Sequence, residues 1–152
     1  KDKLKFVIMG DGPLRSHFET QAKELKVDHL VEFTGRLPYP EMVGQMCSCD
    51  IVVNPIMKNA AQSITNKVGD YALSGLPVIN TQECQEYRDM ITKYNCGINC
   101  ENGDEYSVAD AIERLCADEN LRKEYGMNHR KLGIEKFDRR NTYQEIINYT
   151  LN

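Results

Sequence analysis

Apolar side chains recur along this chain in short runs, each broken by glycine, proline or a polar turn. Leu4 to Met9 reads LKFVIM and ends at Gly10-Asp11-Gly12-Pro13, and Leu30 to Thr34 reads LVEFT and ends at Gly35. Asp50 to Asn54 reads DIVVN and meets Pro55, while Pro77 to Asn80 reads PVIN and follows Gly75. A weaker run spans Cys96 to Cys100. Runs of this length bounded by turn residues predict buried β-strands. Between them the pattern shifts to the ~3.6-residue period of a helix. Leu14, Phe18, Ala22 and Leu25 recur at that spacing, with Pro13 expected at the first helical position, where its missing N–H leaves no bond unmade. A second helix is expected near Glu41 to Cys47.

Strand and helix in alternation predict an α/β fold: a Rossmann-like parallel sheet with helices on both faces. The last third reads as a helical C-terminal tail. Val108, Ala111, Ile112 and Leu115 mark one amphipathic helix; Tyr143, Ile146, Ile147 and Leu151 mark the last, after a break around Lys136-Phe137-Asp138. The sequence contains no internal repeat and no long linker, so residues 1–152 are expected to form one domain of ordinary size.

Composition narrows the function classes. A chain that is 41% hydrophobic and 28% charged is neither disordered nor collagen-like. No segment reaches the ~18 uninterrupted apolar residues of a membrane span, and Lys1-Asp2-Lys3 leads into a strand rather than a signal peptide. Nineteen basic against 23 acidic residues give a net charge of −4, so no nucleic-acid partner is expected. The six cysteines contain no C-x-x-C, and His17, His29 and His129 lie far from them in sequence. They read as reduced, mostly buried thiols without a metal, which places the chain in the cytoplasm.

Charge is spread unevenly. Residues 42–82 hold only Asp50, Lys58, Lys67 and Asp70 as charged side chains. Two buried strands explain part of this, but not the polar, nearly uncharged stretch from Asn54 to Thr65. That stretch follows the carboxyl end of a strand, where open α/β sheets bind ligands. Within the following segment, Thr65 is expected to cap a helix whose first amides face an anion. Lys67 sits in the first turn, where the helix dipole disfavours a cation; a bound phosphate would reverse that preference. Asp70, at i+3, shares its face and has the acceptors for a ribose diol. The competing readings are a solvated lysine and a surface Lys67–Asp70 ion pair of little energetic weight. Upstream, Gly10-Asp11-Gly12-Pro13 reads either as an anion cradle at a helix start or as a tight turn capped by Asp11.

These motifs carry a family resemblance. Gly10-Asp11-Gly12-Pro13, Phe33-Thr34-Gly35, Asp50 to Pro55 and Ser63-x-x-Asn66-Lys67-x-x-Asp70-Tyr71-x-x-x-Gly75-x-Pro77-Val78-Ile79 resemble the carboxy-terminal, donor-binding domain of group 1 retaining glycosyltransferases, one half of a GT-B fold. Lys136-Phe137-Asp138 is similar to the family's lead into its final helix. The resemblance implies a nucleoside-diphosphate sugar as donor substrate and no cofactor. It places Gln62 and Asp70 where the family carries two glutamates, with Gln62 toward the sugar and diphosphate and Asp70 on the ribose. It assigns Lys67 and the backbone of Ser63, Ile64, Thr65 and Asn66 to the diphosphate, with Gly10 and Gly12 lining the same crevice. Lys67 and Gln62 are the expected catalytic positions. It further implies an acceptor-binding amino-terminal domain in a longer parent chain, a role in bacterial polysaccharide or glycolipid synthesis, and membrane contact at the inner membrane only through that parent. A GT-B sugar-nucleotide epimerase and a non-catalytic phosphate-binding module are the alternatives.

Overall fold

The structure, a computed structural model, describes residues 4–60 and 63–150, without the side chains of Glu145, Ile146, Asn148 and Thr150. The chain divides into two compact units, Lys1–Gln45 and Met46–Asn152.

In the first unit β1 (Phe6–Met9) and β2 (Val31–Gly35) pair in parallel, Phe6 opposite Val31, with a register shift between Ile8 and Met9. α1 (Arg15–Glu24) makes the crossover between them. Pro13 is not its first residue. Pro13 and Leu14 occupy a turn closed by the Arg15 amide on the Gly12 carbonyl at 3.1 Å, and the helix starts only after that turn. Of its expected core stripe, Ala22 is buried, whereas Leu14, Phe18 and Leu25 are exposed. α2 (Tyr39–Cys47) begins two residues ahead of the expected Glu41, because Pro40 is tolerated in a first helical turn.

The second unit holds a parallel sheet of β3 (Val52–Asn54), β4 (Val78–Asn80) and β5 (Gly97–Asn99), with β4 central. α3 (Lys67–Ser74) connects β3 to β4, and α4 (Gln85–Tyr94) connects β4 to β5. Parallel strands joined by helical crossovers make the Rossmann-like α/β architecture. Gly75 ends α3 in the left-handed region at φ 74°, a conformation that glycine adopts without a Cβ penalty.

The tail is helical, as the pattern predicts: α5 (Glu105–Ala117), α6 (Glu119–Leu132), a π-helical turn at Gly133–Phe137 and α7 (Arg139–Thr150). Asp104 caps α5 through the Tyr106 and Ser107 amides, and Asp118 caps α6 through that of Leu121. Ala111 and Leu115 pack with Ile79, Cys100 and Tyr125, and Val108 and Ile112 lie against that cluster. The α7 stripe is different: Tyr143 and Ile147 are exposed, and Leu151 lies outside the described residues. The cysteines divide evenly rather than being mostly buried. Cys84, Cys96 and Cys100 are buried, Cys49 is half-buried, and Cys47 and Cys116 are exposed. Burial pushes the Cys96 thiol up to about 12, so it stays protonated at neutral pH.

Candidate functional site

The site begins where β3 ends. Its last residue, Asn54, delivers the chain into the loop that returns as α3. The near end of this loop is fixed by hydrogen bonds. The Ile56 amide donates to Thr81 Oγ1 at 3.0 Å, and the Asn102 side-chain amide donates to the Ile56 and Thr81 carbonyls at 2.6 and 2.9 Å.

The far end, leading into α3, holds most of the expected site residues. Ser63 and Asn66 are exposed; Ile64, Thr65, Lys67 and Asp70 are half-buried. Thr65 is not the cap. Asn66 occupies the N-cap position in a right-handed helical conformation, and no side chain caps the helix. The first turn tightens instead through main-chain bonds, from Val68 to the Thr65 carbonyl (3.1 Å) and from Gly69 to that of Asn66 (3.3 Å). The Thr65 hydroxyl is buried with no hydrogen-bond partner among the described residues.

Lys67 is the first residue of α3, and its ammonium lies 6.0 Å from the Tyr71 ring centroid. Burial lowers its pKa. Tyr71 is affected oppositely: burial first, then the Asp70 charge, raises its phenol above the usual range. A half-desolvated cation thus lies at the positive end of a helix, one turn from a carboxylate on the same face. Charge and dipole both favour an anion there. Gln62, the remaining expected catalytic position, lies outside the described residues.

The glycine turn belongs to the first unit and is already engaged. The Gly10 amide donates to the Gly35 carbonyl at 2.9 Å and the Gly12 amide to the Asp11 carboxylate at 3.0 Å. Gly10 needs its freedom, with φ 142°. Asp11, Gly12 and Arg36 line an open cavity of about 350 Å³ beside it.

Sequence reasoning passed over a buried polar layer beneath the α3 loop. Asn54, Asn80 and Asn99 end three adjacent strands and stand in register. The Asn54 amide donates to Asn80 Oδ1 at 2.9 Å, and the Asn80 amide donates to Asn99 Oδ1 at 3.0 Å. Gln82, fully buried, accepts from Asn54 Nδ2 at 3.1 Å and donates to the Ser63 carbonyl at 2.6 Å. Part of the signal was present, since two apolar runs close on Asn54 and Asn80 and the weaker third carries Asn99 at its penultimate position, a residue type depleted in strands.

Comparison with known proteins fits this arrangement. Residues 1–118 match the family model for glycosyl transferases group 1. A 2-deoxystreptamine N-acetyl-D-glucosaminyltransferase of Niallia circulans is 21% identical over 145 residues, covering 95% of this chain and 36% of that protein. Anabaena HepE in complex with UDP superposes with a TM-score of 0.84 at 17% identity, over 99% of this chain and 41% of that one. The C-terminal domain of a group 1 family glycosyl transferase, LpcC of Francisella tularensis, gives a TM-score of 0.68 at 21% identity, over 88% of this chain and 69% of that one. The chain thus spans about a third of the length of its curated relative. Over that span it has the α/β architecture of the GT-B half, with the Ser63-to-Ile79 motif wrapped around α3, and it belongs to the group 1 glycosyltransferases.

Proposed function

We propose that this chain is the donor-binding domain of a retaining glycosyltransferase, within a longer enzyme that moves a sugar from a nucleoside diphosphate to an acceptor hydroxyl. The observation that carries the reading is the half-buried Lys67 at the first position of α3, one turn before Asp70. The Lys67 ammonium and the amides at the helix start would hold the diphosphate and stabilise the charge that grows on it as the glycosidic bond breaks. Asp70 would take the ribose hydroxyls through its two carboxylate oxygens. Gln62 would contact the sugar or diphosphate by hydrogen bonds without charge. One structure of HepE holds UDP and another holds UDP-glucose, so a uridine nucleotide is the first donor to test. Bacterial polysaccharide or glycolipid assembly is the proposed setting, and the acceptor is assigned to a preceding domain of the parent. No described helix is long and apolar enough to cross a membrane, and membrane contact is proposed only through that parent.

Calorimetric titration tests this reading. UDP should bind the chain more tightly than inorganic phosphate or uridine. Asp70→Asn should weaken UDP binding by about tenfold or more, since a hydrogen bond to a charged group contributes ~1.5–3 kcal/mol. 2′,3′-Dideoxy-UDP should bind wild type and variant equally poorly. A chain that binds phosphate as well as UDP is a simple phosphate module, and the donor-site reading then fails.

A further inference from the structure

We propose that Gln82 is a positioning residue for the anion-binding start of α3. The inference rests on the donor-site reading above and extends it to a side chain outside the family motif. Gln82 lies two residues beyond β4 and is fully buried, and its side-chain amide is used at both ends. On one side, Oε1 accepts from Asn54 Nδ2 at 3.1 Å; on the other, Nε2 donates to the Ser63 carbonyl at 2.6 Å. Its backbone is held as well, because the Gln82 amide donates to Asn80 Oδ1 at 3.2 Å and its carbonyl accepts from Asn80 Nδ2 at 3.2 Å. The Asn54–Asn80–Asn99 layer is therefore one rigid body with the sheet, and Gln82 is the arm that reaches from it to the α3 loop.

The consequence is geometric. Ser63 immediately precedes the backbone that turns into α3, whose N-cap side chain supplies no bond of its own. Fixing the Ser63 carbonyl fixes the peptide planes that follow, and with them the direction of the amides and of Lys67. An amide held in place before the ligand arrives loses less freedom on binding, so Gln82 acts on affinity without touching the ligand. A buried glutamine with both ends bonded is hard to replace by an apolar residue, because the Ser63 carbonyl and the Asn54 amide would each lose a partner.

The test combines ligand binding with amide hydrogen exchange on the whole chain. Gln82→Met, close in volume but without the amide, should bind UDP about three- to tenfold more weakly, the worth of one net hydrogen bond, and should bind uridine unchanged. Exchange at Val68 and Gly69, whose amides bond back to the Thr65 and Asn66 carbonyls, should accelerate, while the β4 amides stay protected. Gln82→Glu covers the case in which the methionine variant fails to fold. Its protonated carboxyl restores a donor to the Ser63 carbonyl, whereas its carboxylate faces that oxygen without a proton. UDP affinity relative to wild type should therefore fall from pH 5.5 to pH 8. Among the described residues, Arg88 is a charged group at this position, its Nη1 3.5 Å from the Gln82 carbonyl oxygen. Unchanged exchange at Val68 and Gly69, or UDP binding equal to wild type in both variants, overturns the positioning role. Absence of UDP binding by wild type overturns the donor-site reading instead, and exchange in the variants then decides separately whether Gln82 holds the turn.

Discussion

Lys67 stands against the dipole of its own helix, a placement that the proposed diphosphate site would explain. A cation in a first turn is disfavoured by ~0.3–1 kcal/mol, and burial has already lowered the Lys67 pKa. Lys67→Ala should leave the unliganded chain as stable as wild type or slightly more so, while weakening UDP binding strongly and uridine binding hardly at all. Denaturant titration paired with calorimetry reads both; equal loss for the two ligands would move the anion site elsewhere. A second residue-scale consequence lies away from the site. His129 is fully buried on α6, its Nδ1–H donates to the Leu76 carbonyl at 2.6 Å, and Nε2 has no partner among the described residues. Burial lowers its pKa from 6.5 to about 4, so the unfolded chain binds a proton that the folded chain refuses. Stability contributed by neutral His129 is thus complete above the unfolded value and is lost as pH falls below it, by about 2 kcal/mol between pH 7 and pH 5. His129→Gln keeps a donor for the Leu76 carbonyl and removes the titration. Its stability at pH 5 relative to pH 7 should fall by correspondingly less than that of wild type, and parallel pH profiles would show that His129 does not titrate with folding.

At the scale of elements, glycine sets how closely α6 approaches α3 and the turn that follows it. A Cβ on Gly126 would overlap the Gly75 carbonyl oxygen, and one on Gly133 would stand 2.9 Å from the Leu73 amide nitrogen. Backbone faces backbone at both points, so no side chain is there to swing aside. Gly126→Ala should raise intrinsic helix propensity yet destabilise the fold by about 1–3 kcal/mol, the cost of overpacking a filled interface. Thermal denaturation checks the sign, and a neutral or stabilising result would mean that α6 shifts freely. The same packing explains why α6 was illegible in the sequence. Its buried face is Tyr125, Gly126, His129 and Leu132, and Gly126 and His129 break the apolar stripe. By contrast the Val108–Leu115 stripe of α5 is aliphatic and was read directly, and the five strands were read because glycine, proline or polar residues punctuate each apolar run. The Thr65 cap failed for a related reason: threonine marks the neighbourhood of a helix start, but i→i−3 bonds at Val68 and Gly69 satisfied the first amides instead.

For the whole molecule, the motif from Ser63 to Ile79 made the location of the candidate site legible, but not the scaffold under it. Lys67 and Asp70 share a helix, so spacing alone puts them together. Gln82 reaches Ser63 only because β3 and β4 align Asn54 with Asn80, and such a register is a property of pairing across 26 positions that no local pattern encodes. The same scale sets the last expectation, which concerns chemistry rather than binding. Group 1 relatives are longer: this chain covers 36% of the Niallia circulans transferase and 41% of HepE. Transfer requires a donor and an acceptor hydroxyl held at reacting distance, and orientation of this kind accounts for roughly 7–11 kcal/mol of a barrier. In the function proposed above, Lys67 and the start of α3 would supply charge for the departing diphosphate, and the acceptor would bind the parent's other domain. The chain by itself should therefore bind UDP-glucose or UDP without releasing UDP faster than the uncatalysed background. Incubation with UDP-glucose and a panel of sugar or lipid acceptors, followed by detection of released UDP, measures this. Steady glycosyl transfer by the 152-residue chain would show that the donor domain holds its own acceptor site, and the division of labour proposed for the parent would be wrong.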